Sequence, residues 1–206
     1  MGFFAKIMKA GMKHQADEER YVDVTSGLNI NLPSDSFKAV DIDSALSMKI
    51  SFKDDSVRLK VYLKNGGEKE SVSIKTKVES DQLVITAKSL EDSINGYIKL
   101  SLPEVSLLKV NTEYGDISVK NTLAQRLVVQ SYSGDISIEP NLINDAEIST
   151  ESGDILLRVT SNDYRINPIT HNGEVIWEGC ENNNHSKKTI DCQTKNGDIQ
   201  IMKVKR

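Results

Sequence analysis

The chain of 206 residues is poor in cysteine, histidine and aromatic residues, and these shortages exclude several kinds of site. Its 2 cysteines, Cys180 and Cys192, are too few for a disulfide framework, and no partner ligands stand at zinc spacing. The 3 histidines, His14, His171 and His185, accompany no recognisable nucleophile motif. We therefore expect no enzymatic activity, no metal site and no cofactor, and we expect Cys192 to be a buried, inert thiol.

Long apolar runs and a strong net charge are also missing. No segment approaches the roughly 20 apolar residues of a membrane-spanning helix, and the N-terminus lacks the apolar core and cleavage site of a secretory signal. The net charge of -4 provides no general attraction to nucleic acid, and the sequence shows neither a helix-turn-helix pattern nor a basic run interleaved with aromatics. These absences predict a cytoplasmic protein without a nucleic-acid partner, and they leave peripheral contact with a membrane open.

What the chain does contain is one repeated phrase of Gly, an acidic residue and a β-branched apolar residue. Its 5 copies follow one another at intervals of 19, 19, 20 and 24 residues. Such self-similarity is typical of stacked-repeat proteins. The phrase consists of Gly115 and Asp116, Gly134 and Asp135, Gly153 and Asp154, Gly173 and Glu174, and Gly197 and Asp198, each pair followed by Ile or Val.

Apolar residues keep the same phase relative to each Gly. In the first copy they stand at Leu108 and Val110 before the Gly and at Ile117 and Val119 after it, and the later copies match except at Pro168. Each copy therefore indicates an alternating strand, a turn of about three residues and a second alternating strand. We predict an all-β, single-stranded β-solenoid (β-helix) with repeats of about 19–24 residues, in which stacked rungs bury a column of Ile and Val. Antiparallel hairpins forming a sandwich are the alternative.

The predicted organisation has three parts. Residues 103–206 hold the regular solenoid repeats, and residues 21–102 form an irregular β-rich half continuous with the stack. Residues 1–20 are predicted to be a short amphipathic helix and a charged hinge. This helix either caps an open end of the stack or contacts an anionic membrane. The residues predicted for membrane contact are Phe3, Phe4, Lys6, Ile7, Met8, Lys9, Met12 and Lys13.

Stacking would form a column of the five acidic residues, with neighbouring carboxylates about 5 Å apart. Their repulsion costs on the order of 1 kcal/mol per pair in water, so something must relieve it. One interpretation is that each carboxylate bonds the amides of its own turn in solvent, and another is a bound Ca²⁺ ion. A third is that the column serves a carbohydrate-binding or carbohydrate-processing β-helix. The polar segment 181–188 is expected to project as a solvated loop.

These features resemble the bacterial putative-adhesin family, a domain of unknown function built from β-strand repeats. The resemblance covers residues from about 28 to 201, and it rests on Ile98–Pro103, Leu108–Val119, Ser131–Ile138 and Thr150–Leu157. It implies a β-helical stack with a non-enzymatic binding or structural role at or near the cell envelope, where some members are associated with stress responses. The expected function is a scaffold that presents a β face to a protein or membrane partner, with a homo-oligomer as a further option.

Overall fold

The structure, a computed structural model, describes residues 21–23, 36–52, 56–64, 71–90 and 96–205. The predicted amphipathic helix and its membrane-contact residues lie outside these ranges. The described part of the chain contains no helix with the length and hydropathy needed to cross a membrane. Its strands are β1 (Tyr21–Asp23), β2 (Ala39–Ser44), β3 (Ser47–Phe52), β4 (Arg58–Lys64), β5 (Val72–Glu79), β6 (Gln82–Ser89), β7 (Gly96–Leu102), β8 (Val105–Tyr114), β9 (Ile117–Ser133), β10 (Ile136–Leu142), β11 (Asp145–Ser152), β12 (Ile155–Val159), β13 (Tyr164–Asn172), β14 (Val175–Glu178), β15 (Lys188–Asn196) and β16 (Ile199–Lys203).

The strands form the two walls of a flattened coil, which we call the front sheet and the back sheet. The front sheet contains, in order, β1, β4, β7, β3, the first part of β9, β10, β12, β16 and β14. The back sheet contains β5, β6, β2, β8, the second part of β9, β11, β15 and β13. In each regular rung, one back strand leads through a turn into one front strand. The chain therefore folds as the predicted all-β stack rather than as antiparallel hairpins throughout.

Equivalent residues of neighbouring rungs stack in register, as predicted. Ile136 pairs with Ile117 on one side and with Ile155 on the other, and Ile155 pairs in turn with Ile199. Burial of each such side chain contributes about 1.5–3 kcal/mol. The inward columns are at most 2% exposed, and they include Val40, Ile42, Met48, Ile50, Leu83, Ile85, Ile98, Leu100, Leu108, Val110, Ile117, Val119, Leu127, Val129, Ile136, Ile138, Ile148, Ile155, Leu157, Ile190, Ile199 and Ile201.

Cys192 belongs to the same interior, as predicted. It is 1% exposed, and burial raises the pKa of its thiol to about 12. Because the thiolate is the reactive form, this thiol is inert at neutral pH.

The order of the rungs departs from the order of the repeats in the sequence. The rung of β15 and β16 is inserted between the rung of β11 and β12 and the rung of β13 and β14. The fourth copy therefore forms the end of the stack. Pro168 and Trp177 explain this placement, because a proline suits an edge strand and a tryptophan is too large for an inner column of Ile and Val. At this end Trp177 remains 36% exposed.

The same kind of insertion occurs in the N-terminal half. The rung of β2 and β3 lies between the rung of β6 and β7 and the rung of β8 and β9, with parallel pairing on both sides. Antiparallel strands complete this end, where β5 pairs with β6, β4 with β7, and β1 with β4. Ser80 and Asp81 have positive φ angles of 49° and 65° and form the tight turn of the β5–β6 hairpin.

The polar segment 181–188 does not project as a free loop, which corrects the prediction. Asn182 lies along the open edge of β13, where its Oδ1 accepts the N–H of Ile166 and its Nδ2 donates to the carbonyl of Ile166, both at 2.8 Å. The N–H of Asn183 donates to the carbonyl of Tyr164 at 3.1 Å. These bonds, together with Pro168 further along the strand, protect β13 from the addition of another strand.

Candidate functional site

The repeated turn is two residues long rather than three. The first copy runs from the end of β8 at Tyr114 through Gly115 and Asp116 to the start of β9. At Gly134 the backbone has a φ of +156°, and an added Cβ would lie under 3.0 Å from the carbonyl oxygen of Gly115. Successive turns therefore touch through their backbones, and glycine is required both for its φ angle and for this close approach.

The acidic residues form a ladder of hydrogen bonds along the turns, which we call the carboxylate ladder. Four of the five carboxylates accept the backbone N–H of the acidic residue in the neighbouring rung, whereas bonds to the amides of the own turn were predicted. Parallel stacking in register explains the difference, because it places the next amide directly above the carboxylate. The bonds run from Asp135 N–H to Asp116 Oδ1 (2.9 Å), Asp154 N–H to Asp135 Oδ1 (2.8 Å), Asp198 N–H to Asp154 Oδ1 (2.8 Å) and Glu174 N–H to Asp198 Oδ1 (2.9 Å).

The Thr or Ser three residues before each Gly hydrogen-bonds to a turn from the interior of the coil. Thr150 is 5% exposed and donates its hydroxyl to the carbonyl of Gly134 at 3.2 Å, and Thr194 donates to Gly153 at 2.9 Å. A buried hydroxyl needs such a partner. The sequence shows a Thr or Ser at this position in every copy, but it did not predict that the hydroxyl would bond a carbonyl of the neighbouring rung.

This bonding bears on the chemistry proposed for the acidic column. Charge-assisted bonds to backbone amides offset the repulsion between neighbouring carboxylates. Among the described residues, no group of three or more His, Cys, Asp or Glu side chains is arranged to hold a metal ion. These bonds link the turns of neighbouring rungs, so four of the acidic residues help to hold the stack together.

Replacing Asp135 should distinguish a hydrogen-bond acceptor from a charge. We expect Asp135→Ala to lower the melting temperature by roughly 2–4 °C, because the loss of one partly exposed bond costs about 1 kcal/mol in a chain of this size. Asp135→Asn keeps an oxygen at the same place and should lose less than half as much. Circular dichroism melts, with EDTA or with Ca²⁺, provide the measurement. A rise in wild-type stability with Ca²⁺ that disappears in Asp135→Asn would indicate a cation site instead.

A groove lies beside the turns, on the outer surface of the back sheet. It crosses β2, β8, β9 and β11 and has a volume of about 540 Å³. Two tyrosines dominate it, Tyr114 and Tyr132, each 60% exposed, with ring centroids 6.2 Å apart in an edge-to-face arrangement. We call this the tyrosine groove, and its lining consists of Asp43, Asn111, Thr112, Glu113, Tyr114, Gln130, Ser131, Tyr132, Ser149 and Glu151.

The rest of the lining is polar and carries negative charge. Asn111 donates to Asp43 at 3.2 Å, and Glu151 pairs with Lys195 at 3.3 Å. Glu113 is exposed and has no partner among the described residues. Rigid, exposed tyrosines surrounded by amides and carboxylates suit recognition of a polar partner, and the lining contains no nucleophile paired with a base.

Sequence reasoning missed the tyrosine groove because its tyrosines occupy different positions in their repeats. Tyr114 directly precedes its Gly, whereas Tyr132 stands two residues before Gly134. The sequence did contain one signal for the groove. A tyrosine stands next to the turn in two consecutive copies, although aromatic residues make up only 5% of the chain.

Comparisons with known proteins agree with this architecture. The fold is similar to that of a putative cell adhesion protein from Clostridium sporogenes ATCC 15579, at 14% sequence identity and a TM-score of 0.64, covering 85% of this chain and 97% of that chain. A putative adhesin from Bacteroides fragilis NCTC 9343 is similar at 14% identity and a TM-score of 0.43, covering 85% and 95%. No curated protein matches the chain. The Toastrack DUF4097 family matches residues 20–205, so the chain belongs to that family, which confirms the predicted membership of a bacterial putative-adhesin family.

Proposed function

We propose that this protein is a non-enzymatic binding scaffold of the bacterial cell envelope, and that it recognises a protein partner through the tyrosine groove. The observation that supports this most is that Tyr114 and Tyr132, each 60% exposed, lie in edge-to-face contact in the lining of the groove. Tyrosine is enriched in protein interfaces, where its ring contributes contact area and its hydroxyl a hydrogen bond.

The construction of the stack makes the groove a suitable binding surface. The side chains that line it project from four adjacent strands of one sheet, so their spacing is held by the backbone ladder. A rigid framework lowers the conformational entropy lost on binding. The repeated polar groups of the turns bond to one another, which leaves the outer wall as the variable surface of the rungs.

A carbohydrate ligand held by the acidic column is the weaker alternative. That function would need carboxylate oxygens directed at a ligand, whereas in the carboxylate ladder an oxygen of each of four residues accepts a backbone N–H. Sugar binding on a glycan array that is lost in Asp135→Ala and kept in Tyr132→Ala would favour this alternative.

Site-specific photo-crosslinking in bacteria that produce the protein tests the proposal. A photoreactive phenylalanine derivative at position 132 should form one dominant protein adduct, identified by mass spectrometry. The same group at exposed Asn167, at the end of the back sheet, is the matched control and should not form it. Truncation of a central aromatic residue commonly weakens an interface about tenfold or more, so Tyr114→Ala should strongly reduce the adduct. Absence of the adduct at position 132, or its equal formation at position 167, would contradict a groove-specific partner.

A further inference from the structure

The lining of the tyrosine groove carries charge of one sign. Its charged side chains are Asp43, Glu113 and Glu151, and the lining includes no lysine, arginine or histidine. All three carboxylates are exposed, so a molecule that enters the groove meets them directly. The groove therefore attracts cationic groups and repels anionic ones.

Strand register places Tyr132 between two of these carboxylates. The parallel register of β8 with β9 sets Glu113 level with Tyr132, and the register of β9 with β11 sets Glu151 level with it on the other side. All three side chains are exposed on the outer surface of the back sheet. Because neighbouring strands are about 4.8 Å apart, one long cationic side chain can reach the ring and both carboxylates.

Both of these carboxylates are accessible to a partner. Glu113 has no ion-pair partner among the described residues. Glu151 lies 3.3 Å from the Nζ of Lys195, and the two side chains are 54% and 62% exposed. A solvent-exposed ion pair of this kind contributes little to stability, so a cation from a partner can replace Lys195 at little cost.

The two tyrosine rings of the groove are not covered by a cation of the chain itself. Elsewhere in the fold, the Nζ of Lys49 lies 3.8 Å from the ring centroid of Tyr97. Within the described ranges, no lysine or arginine lies over Tyr114 or Tyr132, whose ring planes meet at 79°. Because the face of a tyrosine ring attracts cations, the exposed pair adds to the attraction of the carboxylates.

We propose that the partner presents a basic segment to the tyrosine groove, with an arginine side chain between the tyrosine rings and the carboxylates of Glu113 and Glu151. This inference rests on the proposed function, which it extends by naming the chemistry of the partner. Arginine fits better than lysine, because its planar guanidinium stacks on an aromatic ring while its N–H groups bond a carboxylate. The carboxylates of the lining disfavour a partner rich in phosphate.

Fluorescence anisotropy with a labelled peptide of alternating arginine and serine tests the proposal on the full chain. The peptide should bind the wild type, and less tightly at high salt. The same peptide with citrulline in place of arginine keeps the shape without the charge and should bind on the order of tenfold more weakly. Glu113→Gln combined with Glu151→Gln should also weaken binding on the order of tenfold, since each exposed ion pair contributes up to about fivefold.

Glu104 and Glu181 provide the matched control for charge. Both are exposed, and neither has an ion-pair partner among the residues that the structure describes. Glu104 directly precedes β8, so it lies roughly 30 Å from Tyr114 at the other end of that strand. Replacing both glutamates with glutamine changes the net charge equally but should weaken binding less than about twofold.

A second pair of variants tests the contribution of the ring. Tyr132→Phe keeps the aromatic face and should bind the peptide within about twofold of the wild type. Tyr132→Leu keeps an apolar side chain without that face and should bind about fivefold more weakly. Melting temperatures of all variants establish that they are folded.

Several outcomes would overturn the basic-segment proposal. They are absence of peptide binding, equal weakening in both double glutamine variants, equal binding of the arginine and citrulline peptides, and unchanged binding in Tyr132→Leu. Binding of choline at the groove in the absence of peptide binding would indicate a quaternary ammonium ligand instead.

The adduct at position 132 separates this inference from the proposed function. In bacteria, Glu113→Gln combined with Glu151→Gln should reduce the adduct. If the adduct forms equally with and without these two carboxylates and the arginine peptide does not bind, the basic-segment inference fails alone. If no adduct forms in any variant, the proposed function fails even where the peptide binds.

Discussion

Replacing Gly134 with alanine is expected to lower the melting temperature by about 10 °C, which corresponds to a loss of roughly 4 kcal/mol in a chain of this size. Two effects combine in this variant. The φ angle of +156° strains any residue that has a side chain, and the new Cβ would collide with the carbonyl oxygen of Gly115. Backbone cannot move away here without breaking the parallel pairing of neighbouring rungs, so the collision has no inexpensive relief.

Gly179 provides the matched control for this prediction. It also has a positive φ, +65°, but the nearest atom to an added Cβ is a side-chain carbon of Lys203 at 3.8 Å. Gly179→Ala should therefore cost only the backbone strain of about 1–2 kcal/mol. Circular dichroism melts of both variants provide the measurement. If Gly134→Ala melted within about 2 °C of Gly179→Ala, close contact between successive turns would not explain the repeated glycine.

The regular part of the fold could be predicted from sequence because its information is local and repeated. The Gly and acidic residues mark each turn, and Ile117, Ile136 and Ile155 recur in phase with them. In-phase recurrence is what parallel stacking requires, and the structure pairs these residues directly. The acidic residues were expected to bond the amides of their own turns, whereas four of them bond an amide of the neighbouring rung.

The rung order could not be predicted in the same way. Every copy presents a similar inner column, so the sequence does not specify which copies are neighbours. Pro168 and Trp177 gave the available signal, since both suit the end of a stack better than its interior. Asn182 can be recognised as a cap only after β13 is known to be the edge strand, because its bonds are to the backbone of that strand.

The tyrosine groove and the row of lysines on the front sheet both arise from juxtaposition across strands. Lys49, Lys60 and Lys99 are far apart in the chain and form a row only through the pairing of three strands. For this reason the linear sequence shows no basic run interleaved with aromatics, although the front sheet brings lysines and the Tyr62–Tyr97 pair together. Surfaces of this kind depend on register, which local patterns do not specify for the irregular half of the chain.

The inserted position of the last rung predicts a large effect from one engineered disulfide. Glu147 and Asp191 are exposed and pair directly between β11 and β15. Cysteines at these two positions lie on adjacent strands and are expected to fall within the 4.4–6.8 Å range of Cα separations that a disulfide allows. Oxidation should then stabilise the protein by about 4 kcal/mol, since the bond closes a long loop of the unfolded chain.

The matching pair for sequential rung order is Glu147 with Asn167, since β13 follows β11 in the chain. In the structure β15 separates these strands, and Asn167 pairs with Asp191 instead. Their Cα atoms are then about 10 Å apart, too far for a disulfide. Both pairs are made with Cys180 replaced by serine, and Cys192 is retained because it is buried and its pKa is raised to about 12.

Oxidation of the two double-cysteine variants, followed by free-thiol counting and thermal melts, tests whether the last segment lies inside the stack. We predict rapid, nearly complete bond formation between positions 147 and 191, with a higher melting temperature, and no bond between positions 147 and 167. Efficient bonding of 147 with 167 and none of 147 with 191 would contradict the inserted rung and the order of the stack described above.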